Sequence, residues 1–175
     1  MTPAEKINRL ALLGNTAQLI DYVGFNAKLF NSLINTYIRG PYRITQRVAG
    51  PLTQIAIQKP ALLKPHFKRL TTALAAPDAS TAIKRNTIRM FQFVPIPAGR
   101  QGQIIDIAFH LLQGKRETIA VKVFAMTVLE NLSVNSPELG QELRIILEDQ
   151  LPYAGPAFRS RASKILKRLS QARVR

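Results

Sequence analysis

The chain has no cysteine, no tryptophan and only two histidines, His66 and His110. Without cysteine, disulfides and thiolate metal sites are excluded. Two histidines are too few for a metal cluster, and nothing in the sequence calls for a metal or any other cofactor. The nine glycines stand singly at breaks, so no Gly-rich phosphate loop forms. GxSxG, HExxH and Walker sequences are missing as well. No apolar run reaches the roughly 20 residues that span a bilayer. No charged-then-apolar leader opens the sequence, and the expected location is cytoplasmic. Acids are also scarce: 10 Asp and Glu face 25 Lys and Arg across 175 residues, a net charge of +15.

That charge is uneven. Between Tyr22 and Ile105 the sole acid is Asp78, against twelve bases. From Asp106 to Asp149 there are seven acids and four bases, and from Gln150 to Arg175 seven bases and no acid. A field of this sign attracts polyanions: nucleic acid, anionic lipid or an acidic protein. The hydrophobic fraction of 46% is ordinary for a globular chain and allows a real core.

The core signal is densest from Ile119 to Leu132, IAVKVFAMTVLENL, where ten of fourteen residues are apolar. A helix apolar on nearly all sides must be covered on most of them. Other helices announce their ends. Thr2, Pro3 and Glu5 make a capping box with proline at the first helical position. That helix runs to about Leu13, and Gly14 stops it. A shorter helix covers Ala17 to Val23. Asn26 caps a third, which runs to about Ile38 before Gly40 and Pro41.

From Pro41 onward one helical template recurs, apolar at i, i+4, i+7, i+8 and i+11. It fits Ile44, Val48, Pro51, Leu52 and Ile55. It fits Ile83, Thr87, Met90, Phe91 and Val94, with a polar lapse at Thr87. It fits Val121, Ala125, Val128, Leu129 and Leu132, then Phe158, Ala162, Ile165, Leu166 and Leu169. The starts lie 39, 38 and 37 residues apart, the mark of a repeat array. One further helix sits between copies: Pro65 to Ala75, Gln101 to Gln113, and Pro137 to Gln150 with Ser136 as its cap. Apolar residues on these are Phe67, Leu70 and Leu74, then Ile105, Phe109 and Leu112, then Leu143, Ile146 and Leu147. Each unit is a helical hairpin that cannot bury its apolar face alone, so stacking builds the core.

These residues, the repeat length and Pro51 inside an outer helix resemble the HEAT-repeat family, and more narrowly small bacterial HEAT-like proteins. The resemblance implies an all-α, right-handed α–α superhelix forming one domain. Residues 41–175 would be the repeats and residues 1–40 a capping hairpin.

Three groups of residues are candidates for binding. The second template position of each outer helix is Thr45, Lys84, Lys122 and Arg159. Helices stacked about 8–10 Å apart would line three of these cations into a stripe able to track a phosphate backbone. Arg47, Arg85, Arg89, Arg161 and Lys164 lie on or near the same faces. The second group is the last helix, FRSRASKILKRLSQARVR, whose polar side carries Arg159, Arg161, Lys164, Lys167, Arg168, Arg173 and Arg175. Its apolar side matches the template, so it docks on the array rather than on a membrane. The third group lines the inner groove: Lys68, Arg69 and Thr72, then Gln103, Asp106 and His110, then Glu142, Arg144, Glu148 and Asp149. This grades from basic to acidic and suits a peptide-presenting protein partner. Asp106 and His110 are four apart, but no nucleophile or metal stands beside them.

Two enzyme classes share the all-helical character but not the site residues. The helical-repeat alkylpurine DNA glycosylases hold a lesion with aromatic residues, notably Trp, beside an Asp. This chain has no Trp, and the similarity stops at fold and charge. The fumarase and adenylosuccinate lyase class carries a mobile loop of Ser, Met, Pro and Lys that is missing here. The expectation is therefore a binding protein without catalysis, with nucleic acid or an acidic or peptide-presenting protein as its partner.

Overall fold

A computed structural model describes residues 1–172, so Arg173 and Arg175 of the basic tail lie outside the described residues. All regular structure among them is helical. The chain divides into two compact units, Met1–Pro97 and the part from Ala98 onward.

The first unit opens with α1, Pro3–Leu12. The expected capping box is in place: Thr2 Oγ1 accepts from Glu5 N at 3.3 Å, and Glu5 Oε2 accepts from Thr2 N at 2.7 Å. Gly14 follows at φ +72°, a left-handed conformation that suits glycine at a helix stop. Helix α2 is Thr16–Val23 and α3 is Ala27–Arg39. Their caps are Asn15, whose Oδ1 accepts from Gln18 N at 3.1 Å, and Asn26, whose Oδ1 accepts from Lys28 and Leu29 N.

Helix α4, Tyr42–Gln58, is the centre of this unit. It packs against α1, α2 and α3. It also meets α5, Pro60–Leu63, and α7, Thr81–Phe91. Its template residues Ile44, Val48, Pro51, Leu52 and Ile55 are all buried, as the spacing predicts. Pro51 has no N–H to donate, so the carbonyl of Arg47 loses its helical partner. The inner helix expected from Pro65 to Ala75 begins two residues later than that. Helix α5 and a 3-10 turn, Lys64–His66, precede α6, Phe67–Ala75. Pro60 and Pro65 account for this, because each favours the first turn of a helix and cannot continue an earlier one.

The polar lapse at Thr87 has a partner. Thr87 and Tyr37 are both buried, and their hydroxyls share a hydrogen bond of 2.8 Å. Tyr37 Oη also reaches Ile83 O at 3.4 Å. Burial pushes the Tyr37 phenol well above its ordinary pKa, and the Thr87 bond opposes that push.

The second unit contains α8, Ala98–Gln113, and α9, Ile119–Ser133. After them come α10, Pro137–Gln150, a 3-10 turn at Leu151–Tyr153, and α11, Pro156–Ala172. Helix α9 packs on α8, α10 and α11. This is the covering that its apolar circumference requires. Val121, Ala125, Met126, Val128 and Leu129 are buried, while Leu132 at the end of the template is half-buried. On α11 Phe158, Ala162 and Ile165 are buried, and Leu166 and Leu169 are half-buried.

On α8 the buried stripe is Ile104, Ala108, Phe109, Leu111 and Leu112. Ile105, expected in the core, is half-buried. Where Ile104 and Ile105 adjoin, apolar spacing alone does not say which turns inward. Ile146 is half-buried in the same way, beside buried Leu143 and Leu147. Gly140 on α10 faces Leu169 and Ser133: a Cβ there would lie 3.4 Å from Leu169 Cδ2 and 3.7 Å from Ser133 Cβ, ordinary van der Waals contact.

Candidate binding surfaces

In the first unit α7 carries Lys84, Arg85 and Arg89, and the helix contains no acid. Arg85 and Arg89 are exposed, and neither side chain has a partner among the described residues. They are four residues apart, so two like charges share one helix face. Lys84 is half-buried. Thr45, at the equivalent template position of α4, is buried, and its hydroxyl donates to Tyr37 O at 3.0 Å. Arg47 is turned inward as well: its guanidinium donates to Ala11 O at 3.1 Å and to Leu12 O, closing the C-terminal carbonyls of α1.

Helix α11 shows the same divide between engaged and free cations. Arg168 makes a two-pronged pair with Glu130 on α9, through Nε to Oε1 and through Nη2 to Oε2 at 2.8 Å. These bonds hold its guanidinium above its ordinary pKa. Arg161 Nη1 reaches Thr127 Oγ1 at 3.4 Å, and Arg159 Nη2 donates to Ala154 O at 3.1 Å. Lys164 and Lys167 are exposed with no partner among the described residues. No acid occurs anywhere on α11.

The inner-groove candidates divide likewise. Arg69 donates to Asn31 Oδ1 at 2.9 Å and to Asn35 Oδ1, so it ties α6 to α3. Its Nη1 also lies 3.4 Å from His66 Nδ1. His66 sits against the Phe30 ring, 5.8 Å between centroids. Burial, and then the charge of Arg69, lower the His66 pKa. Lys68 is exposed beside them. In the second unit Asp106 and His110 are both exposed on α8. No hydrogen bond or ion pair joins them among the described residues. Glu142 is exposed on α10, and Arg144 pairs with Glu148 one turn on, at 2.8 Å.

Lys122 is placed differently from the other cations. It is half-buried in a cleft of about 260 Å³ formed where α9, α10 and the start of α11 meet. Ile119, Asp149, Tyr153 and Phe158 line the same cleft. The sequence pointed to Lys122 and Asp149 separately and gave no role to Tyr153, in the Pro- and Gly-containing stretch between α10 and α11. An aromatic residue within LPYAGP was the available signal. Such a loop is a poor place for a core residue.

A family model for the HEAT repeat domain matches residues 5–169. The chain belongs to the HEAT-repeat family. No curated protein and no solved structure matches it. As a HEAT protein it is an all-α chain of the α-solenoid class. Repeats of this family typically serve as scaffolds for interactions with other proteins. Among the described residues no group of three His, Asp or Glu is arranged to hold a metal ion, and no helix is long and apolar enough to cross a membrane.

Proposed function

We propose that this HEAT protein is a non-catalytic scaffold that binds nucleic acid through exposed cationic helix faces. The observation that carries the reading is a pair of acid-free helices with unpartnered surface cations, Arg85 and Arg89 on α7 and Lys164 and Lys167 on α11. Like charges at helical spacing repel by a few tenths of a kcal/mol per pair. A bound phosphate backbone relieves that repulsion and releases its own counterions. The reading calls for backbone contacts and not base readout, so binding depends on salt more than on sequence.

A second reading, a protein adaptor using the inner-groove residues, rests on the exposed charges of Lys68, Asp106, Glu142 and Asp149. Arg69 and Arg144 already hold internal partners.

The test is fluorescence anisotropy with labelled duplex DNA and RNA across a NaCl series. Micromolar binding that weakens steeply with salt is expected. Reversing Lys164 and Lys167 to Glu, or Arg85 and Arg89 to Glu, should each flatten the slope. No binding at low salt, despite the charge of +15, would overturn the reading.

A further inference from the structure

The cleft at Lys122 has features that a phosphate-tracking surface does not need. Two of its walls are exposed apolar groups: Tyr153 at 91% exposure and Ile119 at 47%. Phe158 forms its floor at 2% exposure. Polymer phosphates gain nothing from such walls, whereas an apolar side chain does. Lys122 and Asp149 both line the cleft, and neither side chain has a partner among the described residues. A shallower depression adjoins it, sharing Ala154 and lined by Pro156, Arg159 and Ser160. The guanidinium of Arg159 is fixed there by its bond to Ala154 O at 3.1 Å, which leaves further N–H groups to donate. The apolar seat is thus bordered by two cations and one carboxylate within a single unit.

From this arrangement we infer that the cleft docks a short extended segment of a partner protein. The segment carries one large apolar side chain beside two acidic residues. The apolar side chain enters between Ile119 and Tyr153 and rests on Phe158. The acidic residues meet Lys122 and then Arg159. This site is separate from the free faces of α7 and α11 proposed for nucleic acid.

The test uses the whole chain and a fluorescein-labelled dodecapeptide with Phe-Asp-Glu in a Gly-Ser background. Control peptides replace Phe by Ala or replace Asp-Glu by Lys-Lys. The parent peptide should bind, and each control should bind about tenfold or more weakly. Tyr153→Ala and Lys122→Glu should each weaken the parent peptide by a similar factor. Tyr153→Ala should leave duplex DNA affinity unchanged, because the tyrosine carries no charge and is nearly fully exposed, so folding is not at stake. Amide shifts in NMR spectra should cluster at Ile119, Lys122 and Tyr153. No peptide binding overturns the inference. So does binding that Tyr153→Ala leaves intact and DNA displaces, since the peptide would then be only a polyanion on the cationic faces. Peptide binding without DNA binding would keep this site and remove the nucleic-acid reading.

Discussion

The hydroxyl pair of Tyr37 and Thr87 joins α3 to α7 inside the first unit, and it can be taken apart one oxygen at a time. Both side chains are almost fully buried, and their oxygens are 2.8 Å apart. Tyr37→Phe removes one hydroxyl and keeps the ring. Thr87 then turns its own hydroxyl toward Ile83 O, one helical turn back, an acceptor that a helical threonine reaches easily. The loss is one net hydrogen bond, about 1 kcal/mol. Thr87→Val strands the tyrosine hydroxyl, whose remaining acceptor is Ile83 O at 3.4 Å. A buried hydroxyl left so poorly partnered costs about 1.5–3 kcal/mol. The double variant Tyr37→Phe/Thr87→Val leaves neither oxygen, and its shape is nearly conserved. It should therefore be less destabilised than Thr87→Val alone, with a coupling energy of at least about 1 kcal/mol. Thermal unfolding followed by circular dichroism would read these as steps of about 2–4 °C per kcal/mol for a chain of this size. If the two single effects add to within about 0.3 kcal/mol, the hydroxyls do not satisfy one another and the account of Thr87 fails.

Three further outcomes are expected. His66 has a lowered folded pKa, so the unfolded chain binds its proton more readily. The stability this contributes is complete above the unfolded value near 6.5 and is lost as pH falls through the lower folded value. Urea midpoints at pH 5 and pH 7.5 should differ more for the native chain than for His66→Gln. Gly102→Ala places a Cβ in open space inside α8 and should stabilise by about 0.5–1 kcal/mol, whereas Gly40→Ala would set its Cβ 2.4 Å from Thr36 O and should destabilise, both read by unfolding midpoint. Because Glu130 neutralises Arg168, Arg168→Ala should barely change the salt slope of DNA binding, while Lys167→Ala should lower it by about 1, as titrations at several salt concentrations would show.

Much of the helical order was legible because it rests on local chemistry. The capping box at Thr2 and the caps at Asn26 and Ser136 lie within three residues of the groups they satisfy. The template residues turned inward because one face of each helix had to be buried. Asn15, Ser80 and Thr118 also act as caps and were available to the same reasoning, though they were not read. Other features depend on residues far apart in the chain. Thr87 looked like a lapse because its partner is 50 residues away. Arg47 and Arg168 looked like surface charge because the groups that hold them lie 36 and 38 residues away. A sequence shows how many cations there are, and only the packed helices show which are free. The cleft at Tyr153 was hidden for a related reason. Its walls come from α9, α10 and the loop before α11, and no single segment carries the pattern.

The position of α9 bears on how quickly the second unit assembles. Its partners α8 and α10 are its immediate neighbours along the chain, and α11 is only one helix further on. Every large interface of the unit therefore closes a short loop, which keeps the entropic barrier low and favours rapid folding. In the first unit α4 must gather α2 across one intervening helix and α1 across two on one side, and α7 across α5 and α6 on the other. Those longer closures make the first unit the slower of the two to reach its native packing, although both halves are built from the same kind of helix.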